Sequence, residues 1–368
     1  MALSVLIAGG GTGGHLYPGI AVARELMSRD PRTTVVFVGT AAGIEARVIP
    51  REGFELELIR SSGLKGKSAV DRLRGAALLP QSAIDAWRVI SRRRPSIVVG
   101  VGGYSSGPVV ATARLRGIPT LLMEQNAMPG LANRSLAWVV DAAAVTYEES
   151  VRFFGRKAFM AGNPVRPEFF GDRVPVQEVA HDEQSSPRGA ARVLVFGGSQ
   201  GAHAINVAMV EAASRLGAEA ARLAVTHQTG ERDLEMVREG YRQAGWQARV
   251  EPFLFSMDRE MRAADLVVCR AGATTLAELT AAGRPSILIP LPTATDDHQR
   301  KNAQAMVGAG AAVLLEQREL TGERLADAIV TLVDRRNERR QMSEAARRLA
   351  RPDAARVIAD RIAELAGR

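Results

Sequence analysis

The length and composition of the chain exclude several classes of protein. With 368 residues the chain is too long for one ordinary hydrophobic core, so we predict two domains. Hydrophobic residues make up 46% and charged residues 24%, which disfavours a disordered or fibrous protein. The formal net charge of +8 favours an anionic partner, but the basic residues are dispersed and only 5% of residues are aromatic, so we expect no nucleic acid partner.

Apolar runs alternate with helical patterns along the first half of the chain. The helical patterns include residues 18–28 and 84–92. Alternation of this kind predicts a parallel sheet that helices cover on both faces. Neither a basic segment nor a cleavage pattern accompanies the first apolar run, so we expect no signal peptide. The predicted strands of this half are residues 4–8, 34–38, 55–59, 97–101, 120–123 and 142–145.

A polar stretch at residues 174–188 precedes a second alternating series, and we interpret it as a surface loop or linker. Helical patterns of the second series include residues 204–216 and 275–282, and residues 337–365 form a long amphipathic helical stretch. The predicted strands of this half are residues 192–196, 222–226, 248–252, 266–269, 286–289 and 312–315. We therefore predict Rossmann-like domains at residues 1–165 and 166–344, with a terminal helix (about 345–368) that could pack back on the first domain.

Three glycine-rich turns each follow an apolar run. They cover residues 9–14, 100–107 and 197–201, and His15 follows the first of them. Because glycine lets backbone N–H groups approach a phosphate at a helix N-terminus, these turns predict binding of phosphorylated ligands. The first turn fits the G-x-G-x-x-G pattern of dinucleotide-binding folds. The second predicted strand ends in Gly39 and Thr40, without the acid that binds ribose, which disfavours a nicotinamide or flavin cofactor.

Two candidate sites of the first half lie where predicted strands end. His15 is expected at the carboxyl edge of the sheet, where it could act as a general base or could cap or pack against the helix. Glu124 and Asn126 follow another apolar strand. These side chains could bind a polyhydroxylated substrate or orient a base, and Asn126 could alternatively cap a helix.

Further candidates follow in the second half. Arg166 lies between two prolines, where a fixed guanidinium suits an anionic ligand, although a plain linker arginine fits as well. Glu278 lies one helical turn after Thr274 and could bind ribose hydroxyls, or could be a solvated first-turn glutamate. Gln299 suits hydrogen bonding to a sugar. Residues 296–298 (Asp, Asp, His) have metal-ligand types, but no second cluster accompanies them, so we predict no metal site.

Residues 70–94 combine apolar side chains with arginines. An apolar surface ringed by arginine is typical of proteins that bind an anionic membrane surface. The alternative is an ordinary helix that packs on the sheet. Pro80 interrupts the pattern, so part of the stretch is expected to be a loop.

Taken in chain order, these motifs resemble the MurG family of bacterial glycosyltransferases. The resemblance covers nearly the whole chain and rests on residues 10–15, 102–108, 124–126, 162–166, 197–202, 269–273 with Glu278, and 298–299. It implies an α/β GT-B glycosyltransferase fold, in which two Rossmann-like doubly wound domains flank an interdomain cleft. The first domain would take the acceptor and associate with the membrane, and the second would bind UDP-N-acetylglucosamine (UDP-GlcNAc).

The resemblance also implies an activity and a location. The reaction would be an inverting transfer of N-acetylglucosamine from UDP-GlcNAc to the muramyl sugar of lipid I, giving lipid II in peptidoglycan synthesis. The enzyme would be a peripheral protein at the cytoplasmic face of the cell inner membrane, bound through residues 70–94. The resemblance implies no required cofactor. It leaves open both the divalent-metal dependence of turnover and contact with other cell-wall synthesis proteins.

Roles carry over from the family to matching residues of this chain. His15 would be the general base, with Glu124 as an alternative or a helper. The resemblance implies that Ser199 holds the UDP phosphates with Arg166 nearby, that Leu254 contacts uracil through its backbone, and that Glu278 binds the ribose. Residues implied in contacting the donor sugar are Thr12, Gly13, Gly14, Asn126 and Gln299. Residues implied in lining the nucleotide are Ala273, Thr274, Thr275, Leu276 and Ala277. Residues implied in facing the lipid-linked diphosphate are Gly103, Tyr104, Ser105, Ser106 and Gly107.

Two other classes of protein remain as alternatives. A different UDP-sugar transferase or a UDP-sugar epimerase would share the donor half, but would not need the arginine-ringed apolar surface or the second glycine turn. A nucleotide-sensing protein without catalytic activity would keep the turns but would have no use for His15.

Overall fold

The structure is a computed structural model that describes residues 2–61, 78–171, 189–198 and 200–367. Within these residues the chain divides into two compact units. Unit 1 extends to Val165 and resumes at Arg351, and unit 2 runs from Arg166 to Ala350. The predicted loop at 174–188, residues 70–77 of the arginine-ringed stretch and the candidate Ser199 lie outside the described residues.

A parallel sheet forms the centre of unit 1. The described part of this unit contributes seven strands in the order β3-β2-β1-β4-β5-β6-β7. All six predicted strands are confirmed, and the short last strand is additional. The strands are β1 (Ser4–Gly9), β2 (Thr34–Gly39), β3 (Glu55–Leu58), β4 (Ile97–Gly102), β5 (Thr120–Glu124), β6 (Ala142–Val145) and β7 (Ala158–Met160).

Helices cover both faces of this sheet, as predicted. Along β1, Val5 and Ile7 lie in the hydrophobic core of one face, and Leu6 and Ala8 lie in the core of the other. Burial on both faces explains the continuous apolar runs of the sequence. The helices are α1 (Gly13–Arg29), α2 (Glu45–Arg51), α3 (Leu79–Arg93), α4 (Ser106–Leu115), α5 (Leu131–Leu136) and α6 (Glu148–Phe154), with short 3₁₀ helices at Gly155–Lys157 and, in unit 2, Pro167–Phe169.

Unit 2 repeats this plan with a second parallel sheet. Its described strands are ordered β10-β9-β8-β11-β12-β13, and all six were predicted. They are β8 (Ala191–Phe196), β9 (Leu223–Gln228), β10 (Arg249–Glu251), β11 (Leu266–Cys269), β12 (Ser286–Leu288) and β13 (Ala312–Leu314). The helices are α7 (His203–Leu216), α8 (Leu234–Gln243), α9 (Met257–Ala263), α10 (Ala273–Ala282), α11 (His298–Gly308), α12 (Gly322–Asp334) and α13 (Arg336–Leu349).

The last helix, α14 (Ala354–Ala366), belongs to unit 1. Ile358 and Ile362 are buried in the same core as Ile7, and Arg29 on α1 donates a hydrogen bond of 2.7 Å to Asp360. The predicted helical stretch at 337–365 is confirmed, and it consists of two helices, α13 and α14. The chain leaves helical conformation between Leu349 and Ala354, in a segment that contains Pro352, because proline lacks the N–H that an uninterrupted helix needs.

The topology identifies one edge of each sheet as the place for ligands. In unit 1 the strand order reverses between β1 and β4, and in unit 2 it reverses between β8 and β11. Open parallel sheets bind ligands outside the carboxyl ends of their strands at such a reversal. The three glycine turns follow β1, β4 and β8, so each lies at one of these edges.

Candidate active site

The first and second glycine turns contact each other at the carboxyl edge of unit 1. The Gly10 N–H donates to the Gly102 carbonyl oxygen at 3.3 Å. A Cβ atom on Gly103 would lie 2.3 Å from the Gly10 carbonyl oxygen, and the φ angle of Gly103 is +82°. Because no side chain fits there, the two turns can approach this closely only through glycine.

Replacing Gly103 with alanine should disrupt this contact. We expect the free energy of unfolding to fall by roughly 2–4 kcal/mol, because the substitution adds both a positive-φ penalty and a backbone overlap. Gly107 on the same loop is the matched control, since a Cβ there meets nothing within 4 Å. Urea unfolding of Gly107→Ala should give a stability equal to or above that of the original chain. Equal losses in the two variants would contradict this account.

His15 lies in the first turn of α1, at the contact between the two glycine turns. Its Nδ1 lies 3.2 Å from the Thr12 hydroxyl oxygen. Its ring packs against Gly102 so closely that a Cβ on this glycine would lie 2.8 Å from the His15 ring carbon Cδ2. Thr12 occupies the N-cap position of α1, so the capping alternative for His15 is wrong. His15 is half-buried, as are Gly13 and Gly14 beside it.

The second glycine turn exposes some of its predicted acceptor residues and buries others. Gly103, Tyr104 and Gly107 are partly exposed. The side chains of Ser105 and Ser106 are fully buried, and neither hydroxyl has a hydrogen-bond partner within the described structure. An acceptor at this surface would therefore meet the tyrosine and the backbone before the two serines.

Glu124 is the centre of the loop that follows β5. Its Oε1 accepts from the backbone N–H and the side-chain amide of Asn126, at 3.0 and 3.2 Å. Its Oε2 accepts from the Gly130 N–H at 3.2 Å and from the Asn133 amide at 2.8 Å. Burial raises the pKa of the Glu124 carboxyl, and these four hydrogen bonds oppose the rise.

The loop around Glu124 also decides the position of Asn126. The alternative that Asn126 caps a helix is wrong, because α5 begins at Leu131 with Gly130 at its N-cap. The residues between them fold around the carboxylate. The Gln125 side-chain amide donates to the Val101 carbonyl oxygen at 3.2 Å and so ties this loop to the second glycine turn. Sequence reasoning placed Gln125 at the strand end without predicting this contact.

In unit 2 a buried glutamine connects two predicted nucleotide-binding segments. The side-chain amide of Gln228 donates to the Gly198 carbonyl oxygen at 2.8 Å. Its side-chain oxygen accepts from the Leu254 N–H at 2.9 Å. Gly201 packs directly against Thr229, the residue that follows Gln228. A Cβ atom on Gly201 would lie 1.7 Å from the Thr229 carbonyl oxygen. Sequence reasoning missed Gln228, although its position at the end of β9 could have indicated it.

Glu278 lies in the second turn of α10, which begins directly after β11 and the short segment 270–272. The solvated first-turn alternative is therefore wrong, and the side chain is half-buried. Burial raises the pKa of Glu278 to about 7, the positive charge of Arg166 opposes the rise, and Asp258 adds to it. The Arg166 guanidinium also lies 5.1 Å from the centre of the Phe169 ring, so it is held in place rather than exposed on a plain linker.

Two more side chains of unit 2 hold the segment after β12. Arg270 donates to the carbonyl oxygens of Ile289 and Pro290 at 3.0 and 3.2 Å, and burial lowers its pKa to about 10. The Gln299 side-chain oxygen accepts from the Leu291 N–H at 3.0 Å. In the part of the chain that the structure describes, no group of three or more His, Cys, Asp or Glu side chains is placed to hold a metal ion.

Two family models match the chain. The glycosyltransferase family 28 N-terminal domain matches residues 5–145, and the C-terminal domain of the same family matches residues 192–358. Together with the two parallel-sheet units, these matches confirm the predicted fold class, a GT-B glycosyltransferase with two Rossmann-like domains. The chain is therefore a glycosyltransferase.

Relatives narrow this class further. The chain is 50% identical over 367 residues to the UDP-N-acetylglucosamine--N-acetylmuramyl-(pentapeptide) pyrophosphoryl-undecaprenol N-acetylglucosamine transferase of Anaeromyxobacter dehalogenans (strain 2CP-C), covering 100% of this chain and 94% of the relative. It is 50% identical to the protein of the same name from Myxococcus xanthus (strain DK1622), over 97% and 92% of the two chains. The chain belongs to this MurG family of glycosyltransferases.

A solved structure agrees with this assignment. The crystal structure of Acinetobacter baumannii MurG superposes with a TM-score of 0.78 at 29% identity, covering 98% of this chain and 99% of that one. A UDP-N-acetylglucosamine 2-epimerase superposes with a TM-score of 0.68 at 13% identity, covering 98% and 95% of the two chains. The second likeness reflects the fold alone.

Proposed function

We propose that this protein transfers N-acetylglucosamine from UDP-GlcNAc to the muramyl sugar of lipid I, with inversion at the anomeric carbon, and so makes lipid II for peptidoglycan synthesis. The observation that carries this proposal is the 50% identity to a transferase of that name along the entire chain. The glycine turns at the carboxyl edge of each sheet support it, because both substrates carry a diphosphate.

His15 is the proposed general base of unit 1. In the tautomer whose Nδ1–H donates to the Thr12 hydroxyl, Nε2 carries the lone pair that takes the proton of the acceptor 4-hydroxyl. The acceptor oxygen then forms the new bond to the anomeric carbon of the donor. The bond from that carbon to UDP breaks, and UDP leaves with the electron pair.

Glu124 has a different proposed role. Its two oxygens already accept four hydrogen bonds from the loop at residues 126–133, which is the arrangement of a carboxylate that shapes a loop. We therefore assign the base to His15 and assign Glu124 to holding Asn126, the proposed ligand of the donor sugar.

Unit 2 is the proposed donor-binding unit. UDP phosphates would lie against the third glycine turn, with Ser199 and Arg166 as partners and with the dipole of α10 favouring their charge. Glu278 would accept hydrogen bonds from the ribose hydroxyls. Gln228, which links Gly198 to Leu254, would fix the spacing between the phosphates and the uracil. Gln299 is proposed to contact the donor sugar, and Ala273–Ala277 would line the nucleotide.

A surface on α3 and α4 is the proposed membrane-binding surface, which we call the α3–α4 surface. The two helices pack side by side, and Ile84, Trp87 and Leu115 are 51%, 53% and 86% exposed. Arg88 is exposed beside Trp87, and the Arg116 guanidinium lies 4.7 Å from the centre of the Trp87 ring.

In the described part of the chain no helix combines the length and the apolar character needed to cross a membrane. The proposed mode is peripheral binding at the cytoplasmic face of the inner membrane, where anionic headgroups attract arginine.

Removing the apolar side chains of this surface should weaken binding to vesicles. We expect the double variant Ile84→Ser, Trp87→Ser to partition at least about tenfold less onto vesicles with anionic lipid, because each side chain contributes on the order of 1 kcal/mol of apolar burial. Co-sedimentation measures this. The matched control is Met236→Ser on α8, another exposed apolar side chain, which should bind as before. Equal binding by the double variant would contradict the proposed surface.

One assay separates the proposed function from its competitors. The protein is incubated with UDP-GlcNAc, with and without a lipid I analogue, and UDP release is followed. The proposal requires UDP release that depends on the acceptor. An epimerase would change the donor without an acceptor, and a sensing protein would bind the donor without turnover, so either result would overturn the proposal.

A further inference from the structure

A buried carboxylate that the proposed mechanism does not use lies beneath the first glycine turn. Glu45, the first residue of α2, is 0% exposed. Its Oε1 accepts from the backbone N–H and the hydroxyl of Thr40, at 2.9 and 3.0 Å. Its Oε2 accepts from the Gly11 N–H at 3.0 Å. The side chain thus joins the end of β2 to the turn that precedes His15.

Glycines surround this carboxylate on three sides. A Cβ on Gly10 would lie 2.4 Å from the Glu45 carboxyl carbon, and one on Gly39 would lie 2.3 Å from its Cγ atom. A Cβ on Gly43 would lie 2.1 Å from Oε1. Burying a carboxylate is costly unless its oxygens are hydrogen-bonded, so a cavity fitted this closely indicates a specific task.

The contact with Gly11 suggests what this task is. In a dinucleotide-binding fold, the N–H groups of the corresponding turn bind the phosphates of the ligand. Here the carboxylate of Glu45, which belongs to the protein itself, accepts a hydrogen bond from one of these N–H groups, that of Gly11. The next residue, Thr12, accepts from the backbone N–H of His15 at 3.3 Å and lies beside the His15 ring. A displacement at Gly11 would therefore reach His15 through a single intervening residue in the hydrogen-bonded turn.

We infer that Glu45 is a positioning residue that fixes the first glycine turn and, through it, the catalytic orientation of His15. The inference rests on the proposed role of His15 as the base. Glu45 is assigned no contact with the reacting atoms, and its effect is expected in kcat rather than in the Kd for UDP, because the proposed ligands of UDP are residues of unit 2.

Glutamine is the informative substitution at this position. A glutamine side chain has nearly the same shape, but one of its two terminal groups is an N–H donor. If its oxygen keeps the two bonds from Thr40, its amide group meets the Gly11 N–H as a second donor. The turn must then shift, while the packing against Gly39 and Gly43 is preserved. A shift of about 1 Å at a catalytic group can reduce a rate by roughly 100-fold.

The test is a double-mutant cycle that combines Glu45→Gln with His15→Ala. Transfer kinetics and thermal unfolding are measured for the original chain, both single variants and the double variant, with active protein counted by UDP binding. We expect Glu45→Gln to lower kcat by about 10- to 100-fold while the Kd for UDP changes less than about twofold. In the His15→Ala background the same substitution should change kcat by less than about twofold, because its effect acts through His15.

Two further variants keep the test decisive. Asp141→Asn is the matched control: this carboxylate also accepts from the N–H and hydroxyl of a threonine, Thr120, at 2.9 and 3.0 Å, but at the start of β5 rather than at a glycine turn. It should leave kcat unchanged. Thr40→Val removes the hydrogen bond from the Thr40 hydroxyl to Glu45 and preserves the one from Gly11. It holds Glu45 less firmly, so it tests the link between Glu45 and His15 if Glu45→Gln folds poorly. It should lower kcat severalfold and lose this effect in the His15→Ala background.

Three results would overturn the inference. The first is a Glu45→Gln variant with unchanged kcat. The second is a double variant whose loss equals the product of the two single losses, which would mean that Glu45 acts on stability or by another route. The third is an original chain that transfers N-acetylglucosamine while His15→Ala is fully active. In this last case the proposed transfer reaction stands, and the link between Glu45 and His15 falls. A chain without any transfer activity would instead refute the proposed function.

Discussion

Replacing His15 with alanine is expected to lower kcat for transfer by about 10²–10⁴-fold, the usual contribution of a general base. The Kd for UDP should stay within about twofold of its original value, because the proposed UDP ligands are residues of unit 2. The reason is chemical: a sugar hydroxyl is a weak nucleophile until a base takes its proton, and the lone pair of a neutral imidazole can accept that proton. Single-turnover kinetics with excess enzyme would isolate the chemical step.

His203 provides the matched control for this experiment. It also begins a helix after a glycine turn, in unit 2, and its Nδ1 lies 3.0 Å from an Asp233 oxygen. His203→Ala should change kcat by less than about threefold, because this histidine is assigned no proton transfer. A His15→Ala variant that retains near-normal turnover would refute the assignment of the base.

Replacing Glu278 with alanine is expected to raise the KM for UDP-GlcNAc by about 100-fold, since hydrogen bonds from hydroxyls to a carboxylate are worth about 1.5–3 kcal/mol each. The effect should appear equally in the Kd for UDP, because ribose binding stabilises the ground state and the transition state alike. Calorimetric titration with UDP measures it directly. An unchanged Kd would remove Glu278 from the ribose site.

The pH dependence of the same site has a defined sign. Because burial raises the pKa of Glu278 to about 7, the carboxylate dominates above this pH and the neutral acid below it. The carboxylate is the better acceptor for ribose hydroxyls, so the affinity for UDP should fall as the pH is lowered from 8 to 6. Glu278→Gln should bind UDP more weakly at pH 8 and lose this dependence. A variant that keeps the full dependence would assign it to another group.

Much of this fold could be predicted because its signals are local. β1 and β4 are buried on both faces, which requires unbroken apolar runs, and the glycine turns after them punctuate the pattern. β7, the strand Ala158–Met160 at the edge of the sheet, was not predicted. These three residues form a strand because they pair with β6, and their own composition does not indicate this pairing.

The parts of the candidate site that sequence reasoning missed depend on contacts between distant residues. Glu45 is separated from Gly11 by 34 positions and lies on a short helix without a recognisable motif. The sequence indicated only that β2 ends without an acid. The acid follows six residues after Gly39, as Glu45, and its carboxylate accepts a hydrogen bond from the first glycine turn. Glu124 was identified as a candidate from its strand end, but its four hydrogen bonds depend on how residues 126–133 fold around it.

The structure of the product tests the proposed reaction. UDP-GlcNAc and a lipid I analogue would be incubated with the protein, and the new sugar linkage would be assigned by mass spectrometry and proton NMR. We predict one added N-acetylglucosamine on the 4-hydroxyl of the muramyl sugar, in the β configuration that follows inversion of the α-linked donor. An α linkage, transfer to another hydroxyl, or an unmodified acceptor would contradict it.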